Sequence, residues 1–339
     1  MTKQEQATPI LSVIIANWNG ARFLPRCFQS LRAQSLQDIQ VILADNGSTD
    51  DSLPLTRRDF PEVHIVEFDT NLGYADANNR AAALSTAPYL LFLNNDTHLD
   101  PTALATLISV AGARPEVAIL APQQRTYDGA GFLNVGMSVD LLGFPCIGNA
   151  PENKVFYADG ACLFIRREVF VALGGFDVGH FMFFEDADLC WRAWLWGYHM
   201  ATVPQAVVFH KAGGTAGSSL AAGTAYATSR SKRRLTHRNQ FATILKNYSA
   251  PALCVAVPLF VTLTIGEVML LAMTGQRGAI GDAYMPAWRD LLRDWARIRA
   301  MRRKVQRLRT VSDWSILRRM EWRLVSVSRF IHMGMPRIK

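Results

Sequence analysis

Residues 11 to 122 alternate short apolar runs with helix-like stretches, and this alternation limits the possible folds more than any other feature. The strand-like runs cover residues 11–16, 39–44, 63–68, 89–93 and 117–120. Helix-like stretches follow at residues 21–34, 51–59 and 74–85 and from Pro101. Strands that alternate with helices form a mostly parallel sheet that helices cover on both faces. The sequence therefore predicts an α/β domain.

Polar residues follow three of the predicted strands. They are Asn-Trp-Asn-Gly at residues 17–20, Asp-Asn-Gly-Ser-Thr-Asp at 45–50 and Asn-Asn-Asp at 94–96. Each segment alone is ordinary turn or helix-cap chemistry. Together they lie where open α/β sheets bind ligands, outside the carboxyl ends of the strands. The sequence predicts a binding crevice there.

Composition excludes several classes of protein. Half of the residues are hydrophobic, which excludes a mainly disordered chain. Five scattered cysteines without a C-x-x-C pair favour neither a disulfide framework nor a zinc knuckle and suit a reducing cytoplasm. The polar first ten residues lack the pattern of a secretory signal.

The net charge of +8 is unevenly distributed. Residues 276–339 contain sixteen Lys/Arg and five Asp/Glu, so the rest of the chain has a net charge of −3. A basic segment of this kind binds nucleic acid or an anionic membrane. Residues 248–266 carry no charge and precede the basic segment, which favours the membrane and argues against nucleic acid.

An acidic cluster, Glu185-Asp186-Ala187-Asp188, lies between apolar and aromatic residues. Buried carboxylates require a cation, a shifted pKa or a catalytic role. Acidic residues also favour helix N-termini, and residues 185–197 have a helical pattern. From this segment alone, both interpretations stay open.

Several catalytic motifs are absent from the sequence. It contains no G-x-x-x-x-G-K-[ST] loop, no G-x-G-x-x-G after the first strand and no G-x-S-x-G elbow. What remains is Asp45, Asp96, the acidic cluster and His210, which ends a predicted strand before a glycine-rich stretch from Gly213. Carboxylates with a distant histidine suit Mg²⁺ or Mn²⁺ bridging a diphosphate. A structural histidine at position 210 is the alternative.

Five segments, in this order, resemble the motifs of family 2 glycosyltransferases, within residues 11 to about 245. The amino-acid sequences of these segments are similar to those of the bacterial rhamnosyltransferase-like branch, which builds cell-surface polysaccharides. The segments are Ser12-Val-Ile-Ile-Ala-Asn-Trp-Asn-Gly20, Asp45-Asn-Gly-Ser-Thr-Asp50, Asn71-Leu-Gly-Tyr-Ala-Asp-Ala-Asn-Asn79, Leu93-Asn-Asn-Asp-Thr97 and Gly174-Gly-Phe-Asp177 with Phe184-Glu-Asp-Ala-Asp-Leu-Cys190.

The resemblance implies a GT-A fold, a Rossmann-like sheet with helices on both faces. It also implies a dTDP- or UDP-sugar donor, a divalent cation (Mg²⁺ or Mn²⁺) and inversion at the anomeric carbon. Asp45 is expected to read the base, and Asp96 and His210 to hold the metal. Asn94 stands where the family often has a first Asp, so the metal has one carboxylate fewer. The expected donor-binding residues are Ala16, Asn17, Asp45, Asn46, Gly73, Asn79, Asn94 and Asn95.

By the same resemblance, Asp186 is the general base that takes a proton from the acceptor hydroxyl. Glu185 and Asp188 are expected to orient Asp186 or to bind acceptor, with Arg192 one helical turn further on.

The division expected from the sequence is a catalytic domain at residues 1–245 and a membrane-associating region at 246–339. The catalytic domain has a nucleotide-sugar half to about residue 125 and an acceptor half after it. The apolar run 251–274 is long enough to span a bilayer, but basic residues on both flanks favour an in-plane or re-entrant hairpin.

Residues 288–309 predict a basic amphipathic helix on an anionic membrane, with a helix packed on the catalytic domain as the alternative. Its apolar stripe contains Trp288, Leu291, Leu292, Trp295, Ile298, Met301, Val305 and Leu308.

The leading functional hypothesis is an inverting, metal-dependent transferase that moves a sugar to a polyprenyl-diphosphate-linked saccharide. L-Rhamnose is the first candidate for this sugar. The expected location is the cytoplasmic face of the inner membrane, as a peripheral or monotopic protein. Two alternatives stay open: a sugar nucleotidyltransferase, and a membrane-binding protein with a degenerate transferase domain.

Overall fold

The protein is described by a computed structural model for residues 8–146, 154–211, 227–334 and 337–338. The glycine-rich stretch predicted from Gly213 lies outside these residues. The chain forms two compact units. The sheet unit contains the described residues up to Val135, Ala158–Phe176 and Met200–Lys211. The helical unit contains Gly136–Tyr157, Asp177–His199 and the described residues after 211, so residues of the predicted catalytic domain belong to both units.

Within the described residues, nine strands form the sheet of the sheet unit. These strands are β1 (Leu11–Asn17), β2 (Ile39–Asp45), β3 (His64–Glu67), β4 (Tyr89–Leu93), β5 (Thr97–Leu99), β6 (Val117–Thr126), β7 (Phe132–Val135), β10 (Cys162–Arg166) and β11 (His199–His210). The helices are α1 (Leu24–Arg32), α2 (Ser52–Asp59), α3 (Gly73–Ala82), α4 (Ala103–Ala113) and α5 (Arg167–Leu173).

The sheet has the order β3-β2-β1-β4-β10-β6-β11-β5, and β7 pairs with β6. Strands β1 to β4 are parallel neighbours, whereas β10 runs antiparallel to β4 and β6, and β5 antiparallel to β11. The sheet is therefore mixed and not mostly parallel. Hydrophobicity identifies a buried strand but carries no information about its direction.

The strands of the sheet unit supply the apolar core. In β1, Leu11, Val13, Ile14 and Ile15 are fully buried, as expected for a strand covered on both faces. The polar residue Asn17 ends this strand. The apolar core thus holds the strands in place, and their polar ends meet at one edge of the sheet.

The helical unit contains short strands and the remaining helices. They are β8 (Ser138–Val139), β9 (Pro145–Cys146), α6 (Glu185–Leu195), β12 (Ala227–Thr228), α7 (Arg230–Asn247), α8 (Ala250–Met273), α9 (Arg277–Ala279), α10 (Met285–Arg293), α11 (Trp295–Leu308), α12 (Asp313–Leu317), α13 (Val325–Met333) and β13 (Arg337–Ile338). A 3₁₀ turn (Val178–His180) precedes α6, and a π-helix (Ile280–Tyr284) precedes α10.

The predicted hairpin is absent from this apolar region, because α8 is one continuous helix that contains Pro258. A proline removes one backbone hydrogen bond and kinks a helix without reversing the chain. Helix α8 is long and apolar enough to cross a membrane.

The predicted amphipathic helix is interrupted at Asp294, between α10 and α11. Its stripe is also divided: Leu291, Ile298 and Val305 are buried, whereas Leu292 and Trp295 are exposed. The packed alternative therefore describes part of this segment. The buried residues of the stripe pack inside the helical unit, whereas Leu292 and Trp295 lie on its surface.

Candidate active site

The ends of β1 and β2 are joined by side-chain hydrogen bonds. Asn17 donates through Nδ2 to Asp45 Oδ1 at 2.9 Å and to Ser48 Oγ at 3.1 Å. Asp45 also accepts from the Ser48 hydroxyl at 2.7 Å and from the Ser48 amide at 2.9 Å. A carboxylate has about four acceptor positions. Asp45, only 1% exposed, therefore orders the loop after β2 and keeps capacity for one further donor.

Asn95 connects the loop after β4 to this network. It donates to Asn17 Oδ1 at 2.7 Å. The backbone of Gly20 lies against both side chains: a Cβ at position 20 would come within 2.1 Å of Asn95 Nδ2 and 2.2 Å of Asn17 Oδ1. Gly20 and Ser48 were absent from the predicted site residues, although both belong to the motifs that carried the resemblance.

The neighbouring loop before α3 is held by Asn46. Its Oδ1 accepts from the Leu72 amide at 3.2 Å, and its Nδ2 donates to the Gly73 carbonyl at 3.4 Å. Gly73 has a φ of +81°, a conformation that favours glycine. The structure thus brings Asn17, Asp45, Asn46, Gly73 and Asn95 into one hydrogen-bonded set of loops.

Three other predicted donor-binding residues have different surroundings. Asn79 donates to the Phe176 carbonyl at 2.8 Å and accepts from the Phe176 amide at 2.9 Å, so its side-chain amide is bound to the backbone of Phe176. Ala16 is half-buried in β1, opposite Ala44 of β2. Asn94 is half-buried, and its amide donates to the Ala161 carbonyl at 3.0 Å.

Asp96 and His210 lie side by side in the sheet unit. The antiparallel pairing of β5 with β11 places His210 opposite Thr97, and His210 Nε2 is 3.3 Å from Asp96 Oδ1. Burial favours a neutral imidazole, but the hydrogen bond and the negative charge of Asp96 outweigh it and raise the pKa of His210. The charge of Asp159, which precedes β10, acts in the same direction. Asp159 was not among the site residues predicted from the sequence.

The donor set around Asp96 suits a hard divalent cation. Carboxylate oxygen and imidazole nitrogen are both ligands of Mn²⁺, and Mg²⁺ prefers oxygen. Asp96 is 3% exposed, and its Oδ1 and His210 Nε2 approach each other closely. The negative charge of Asp159 also acts on His210. The residues therefore fit the cation that the resemblance implies.

The acidic motif begins α6 in the helical unit. The residues before it include three phenylalanines with positive φ: Phe181 (62°), Phe183 (69°) and Phe184 (71°). Such values are strained for bulky side chains and require support from their surroundings. Asn239 of α7 provides it, donating to the carbonyls of His180 (2.8 Å), Met182 (3.0 Å) and Phe183 (2.8 Å).

The three carboxylates of this motif have different environments. Asp186 is partly exposed, Glu185 is 6% exposed and Asp188 is fully buried. Asp188 Oδ2 lies 2.9 Å from Arg192 Nε, and its Oδ1 lies 2.8 Å from Lys246 Nζ. A carboxylate with two fixed cations is a poor base, so the geometry gives Asp188 a structural role. Asp186 is the member that solvent or a ligand can reach.

A second group of potential metal ligands, Asp177, His180 and Asp188, has ligand atoms within 4.8 Å of one another. Lys246 supplies the cation of this group, because its ammonium pairs with Asp177 and Asp188 and lies 3.5 Å from His180 Nε2. Arg297 also pairs with Asp177. Burial opposes ionisation of Asp188, but Lys246 and Arg192 outweigh it and lower its pKa to about 2. Burial and Lys246 lower the pKa of His180 to about 3.

Comparison with known proteins identifies similar enzymes. A mycobacterial N-acetylglucosaminyl-diphospho-decaprenol L-rhamnosyltransferase (Mycobacterium tuberculosis) is 27% identical over 234 residues, covering 60% of this chain and 76% of the relative. The structure of GalNAc-T7 with UDP, GalNAc and Mn²⁺ matches with a TM-score of 0.58 and 16% identity, over 73% of this chain and 49% of that chain. This chain thus spans about half of that structure.

The mannosyltransferase PcManGT from Pyrobaculum calidifontis, in complex with GDP-Man and Mn²⁺, matches with a TM-score of 0.55 and 18% identity. The match covers 89% of this chain and 87% of that chain. These structural matches confirm the predicted GT-A fold. Residues 12–174 match the sequence model described as glycosyl transferase family 2, and the chain is similar to a mycobacterial rhamnosyltransferase.

Proposed function

We propose that this enzyme inverts the anomeric carbon while it moves a sugar from a dTDP- or UDP-sugar to a polyprenyl-diphosphate-linked saccharide. L-Rhamnose is the first candidate for the sugar. The similarity to a mycobacterial N-acetylglucosaminyl-diphospho-decaprenol L-rhamnosyltransferase supports both the donor and the acceptor.

The observation that carries the donor side of the proposal is the Asp96–His210 pair, with 3.3 Å between Oδ1 and Nε2. These two residues would hold Mn²⁺ or Mg²⁺, with the negative charge of Asp159 supporting them. A bound divalent cation neutralises the charge that develops on the leaving diphosphate. Asn17, Asp45 and Asn95 order the strand-end loops for the nucleotide.

Asp186 is the proposed general base, because it is the partly exposed carboxylate of the acidic motif. Its carboxylate takes the proton of the acceptor hydroxyl as that oxygen bonds to the anomeric carbon. The bond from this carbon to the diphosphate oxygen breaks on the opposite face, which inverts the configuration. Glu185 is proposed to contact the acceptor or to orient Asp186. Asp188 is proposed to hold α6 in place through Arg192 and Lys246.

We propose a location on the cytoplasmic face of the inner membrane. Helix α8 presents exposed apolar side chains such as Val255 (69%) and Met269 (59%). Arg299, Arg303 and Arg307 are exposed on α11 at intervals of four residues, so they share one face of the helix. Apolar and basic surface of this kind suits an anionic bilayer.

The test is sugar transfer by the full chain in anionic liposomes, with a panel of nucleotide sugars, a polyprenyl-diphosphate saccharide, and Mn²⁺, Mg²⁺ or chelator. We expect transfer from dTDP-rhamnose, loss of transfer with chelator, and inverted product stereochemistry. Asp186→Asn should lower kcat by about 10²- to 10⁴-fold, the usual contribution of a general base. Asp69→Asn, at an exposed carboxylate, is the matched control.

Transfer by Asp186→Asn at the wild-type rate would refute the base assignment. Transfer of another sugar would correct the donor and leave the mechanism intact. Equal transfer to lipid-free acceptors with and without liposomes would remove the lipid-linked acceptor from the proposal.

A further inference from the structure

The helical unit contains a cavity of about 320 Å³ between α7, α8 and α13. This volume lies near the lower end of the range for small-molecule sites. Helix α7 lines it with Arg233, His237 and Gln240, which share one face of the helix. At 1.5 Å per residue, this stretch of α7 is roughly 10 Å long. The cavity therefore has room for a short, extended chain.

The walls of the cavity are mainly apolar. Helix α8 contributes Phe260, Leu263 and Leu270, and α13 contributes Val327 and Phe330. These side chains favour a hydrocarbon occupant, because apolar surface gains free energy when it leaves water.

The charged and polar groups of the lining are largely satisfied within the protein. Arg233 pairs with Glu267, and Gln240 Nε2 donates to the Leu142 carbonyl at 2.9 Å. Burial, with the charge of Arg233, lowers the pKa of His237 to about 3, so the ring is neutral at pH 7. His237 is 5% exposed, and its Nε2 has no hydrogen-bond partner among the described residues. A hydrocarbon cannot hydrogen-bond to this nitrogen, so only the apolar walls favour such an occupant.

Helix α7 links the cavity to the acidic motif within the same unit. Gln240 lines the cavity, and the adjacent Asn239 binds the carbonyls of His180, Met182 and Phe183, just before Glu185. An occupant of the cavity therefore lies beside the helix that supports the proposed acceptor-side motif. Bulk lipid has a separate surface on α8, where Val255 and Met273 are 69% and 80% exposed.

We propose that this cavity binds the first isoprene units of a polyprenyl-diphosphate-linked acceptor. The inference rests on the proposed function, since it assigns a site to the lipid part of the acceptor named there. Gln240 lines the cavity and Asn239 holds the residues before Asp186. Both residues belong to helix α7, so this helix connects the cavity to the acidic motif.

Gly266 allows the cavity to be filled without disturbing the fold. It lines the cavity, and a Cβ built on it meets no atom within 4 Å. Replacing a glycine inside a helix also favours the helix. Gly266→Phe is therefore the test variant. Ile265→Phe is the matched control, because Ile265 is 55% exposed and is not among the lining residues.

The probe is a fluorescently labelled farnesyl diphosphate, whose binding to the full chain is measured by anisotropy without donor, sugar or turnover. We expect the wild type and Ile265→Phe to bind it equally, and Gly266→Phe to bind at least tenfold more weakly with an unchanged circular dichroism spectrum. Unlabelled farnesyl diphosphate should displace the probe at a concentration at least tenfold lower than unbranched dodecyl diphosphate. Inorganic diphosphate should not displace it.

Equal binding by Gly266→Phe and the wild type would overturn the proposal. Equal displacement by dodecyl diphosphate would also overturn it, in favour of a general lipid site, and displacement by inorganic diphosphate would indicate a headgroup site elsewhere. Because binding is measured without transfer, a chain that binds the probe in the cavity but transfers no sugar would refute the proposed function and not the prenyl site.

Discussion

Asp96 of the sheet unit and Asp188 of the helical unit are both almost completely buried, yet their counter-charges differ. Asp188 pairs with the guanidinium of Arg192 and the ammonium of Lys246. Asp96 lies 3.3 Å from His210, and an imidazole is charged or neutral depending on its environment. Burial alone therefore does not distinguish the roles proposed for these two carboxylates. The kind of counter-charge beside each one does.

The same distinction applies within the acidic motif. Asp186 and Asp188 are two residues apart on α6, but Asp186 is partly exposed and Asp188 is fully buried against cations. By our proposal, this motif thus holds a catalytic carboxylate, Asp186, and a structural one, Asp188. Substitutions in the two units test whether this comparison is correct.

The largest expected effect comes from Lys246→Met in the helical unit. The substitution leaves Asp177 and Asp188 buried without their shared ammonium. Removing one partner of a buried ion pair costs about 3–5 kcal/mol. We expect the free energy of unfolding in urea to fall by that amount. Lys304→Met, at a half-exposed lysine of α11, should change it by less than about 0.5 kcal/mol. If both variants unfold like the wild type, the network is not structural.

The next effect concerns Asp96→Asn in the sheet unit. The amide keeps the shape of the side chain but loses the charge beside His210. We expect transfer to fall by about 10²- to 10³-fold, because metal-assisted charge stabilisation is worth several kcal/mol. The free energy of unfolding should change far less than in Lys246→Met. Mn²⁺ binding in the presence of UDP, measured by calorimetry, should weaken in parallel. A loss of stability with Mn²⁺ binding intact would make Asp96 structural, like Asp188.

Much of the sheet unit could be predicted from the sequence, because its strands are continuous apolar runs with polar residues at their ends. Strand β1, the loop at Asp45 and the strand end at His210 were all expected. The antiparallel direction of β10 was not, since hydrophobicity is the same in either direction.

The helical unit was less predictable, because its organisation depends on partners far apart in sequence. The pairing of Asp188 with Lys246 makes that carboxylate structural, yet neither local pattern indicates the contact. Likewise, the charge of Asp159 raises the pKa of His210 only because the folded sheet brings these distant residues into range of each other. Local patterns locate the acidic motif, whereas three-dimensional contacts assign different roles to its carboxylates.

A smaller effect is expected from Asn239→Ala. The change removes the side-chain amide that binds the carbonyls of His180, Met182 and Phe183, just before Glu185. Unsatisfied buried groups cost about 1–3 kcal/mol, so stability should fall by that amount. We also expect kcat to fall about tenfold (1.4 kcal/mol), with KM for the donor unchanged, because the donor residues lie in the other unit. Thr236→Ala, one turn earlier on α7, is the control. A kcat equal to that of the wild type would show that the position of the residues before Glu185 does not affect catalysis.

The smallest effect, per pH unit, is the acid sensitivity contributed by His180. Its pKa is about 3 in the folded protein, because burial and Lys246 disfavour the charged ring, and 6.5 is its ordinary value. Asp177, Asp188 and Arg238 also act on this ring, and the two carboxylates titrate below pH 4. Between pH 6.5 and 3 the unfolded chain binds a proton that the folded chain does not. Stability therefore falls as pH falls through this window, by about 1.4 kcal/mol per pH unit for one histidine.

Urea unfolding at pH 7, 6, 5 and 4, followed by tryptophan fluorescence, measures this slope. His180→Gln should reduce it by the contribution of one proton, whereas His199→Gln, at an exposed histidine of the same unit, should leave it unchanged. The residual slope in His180→Gln is expected because His237 is also held neutral by burial, with a pKa of about 3. An unchanged slope in His180→Gln would mean that the ring is protonated inside the Asp177–Asp188–Lys246 cluster. In that case Lys246 would not be the cation that balances both carboxylates.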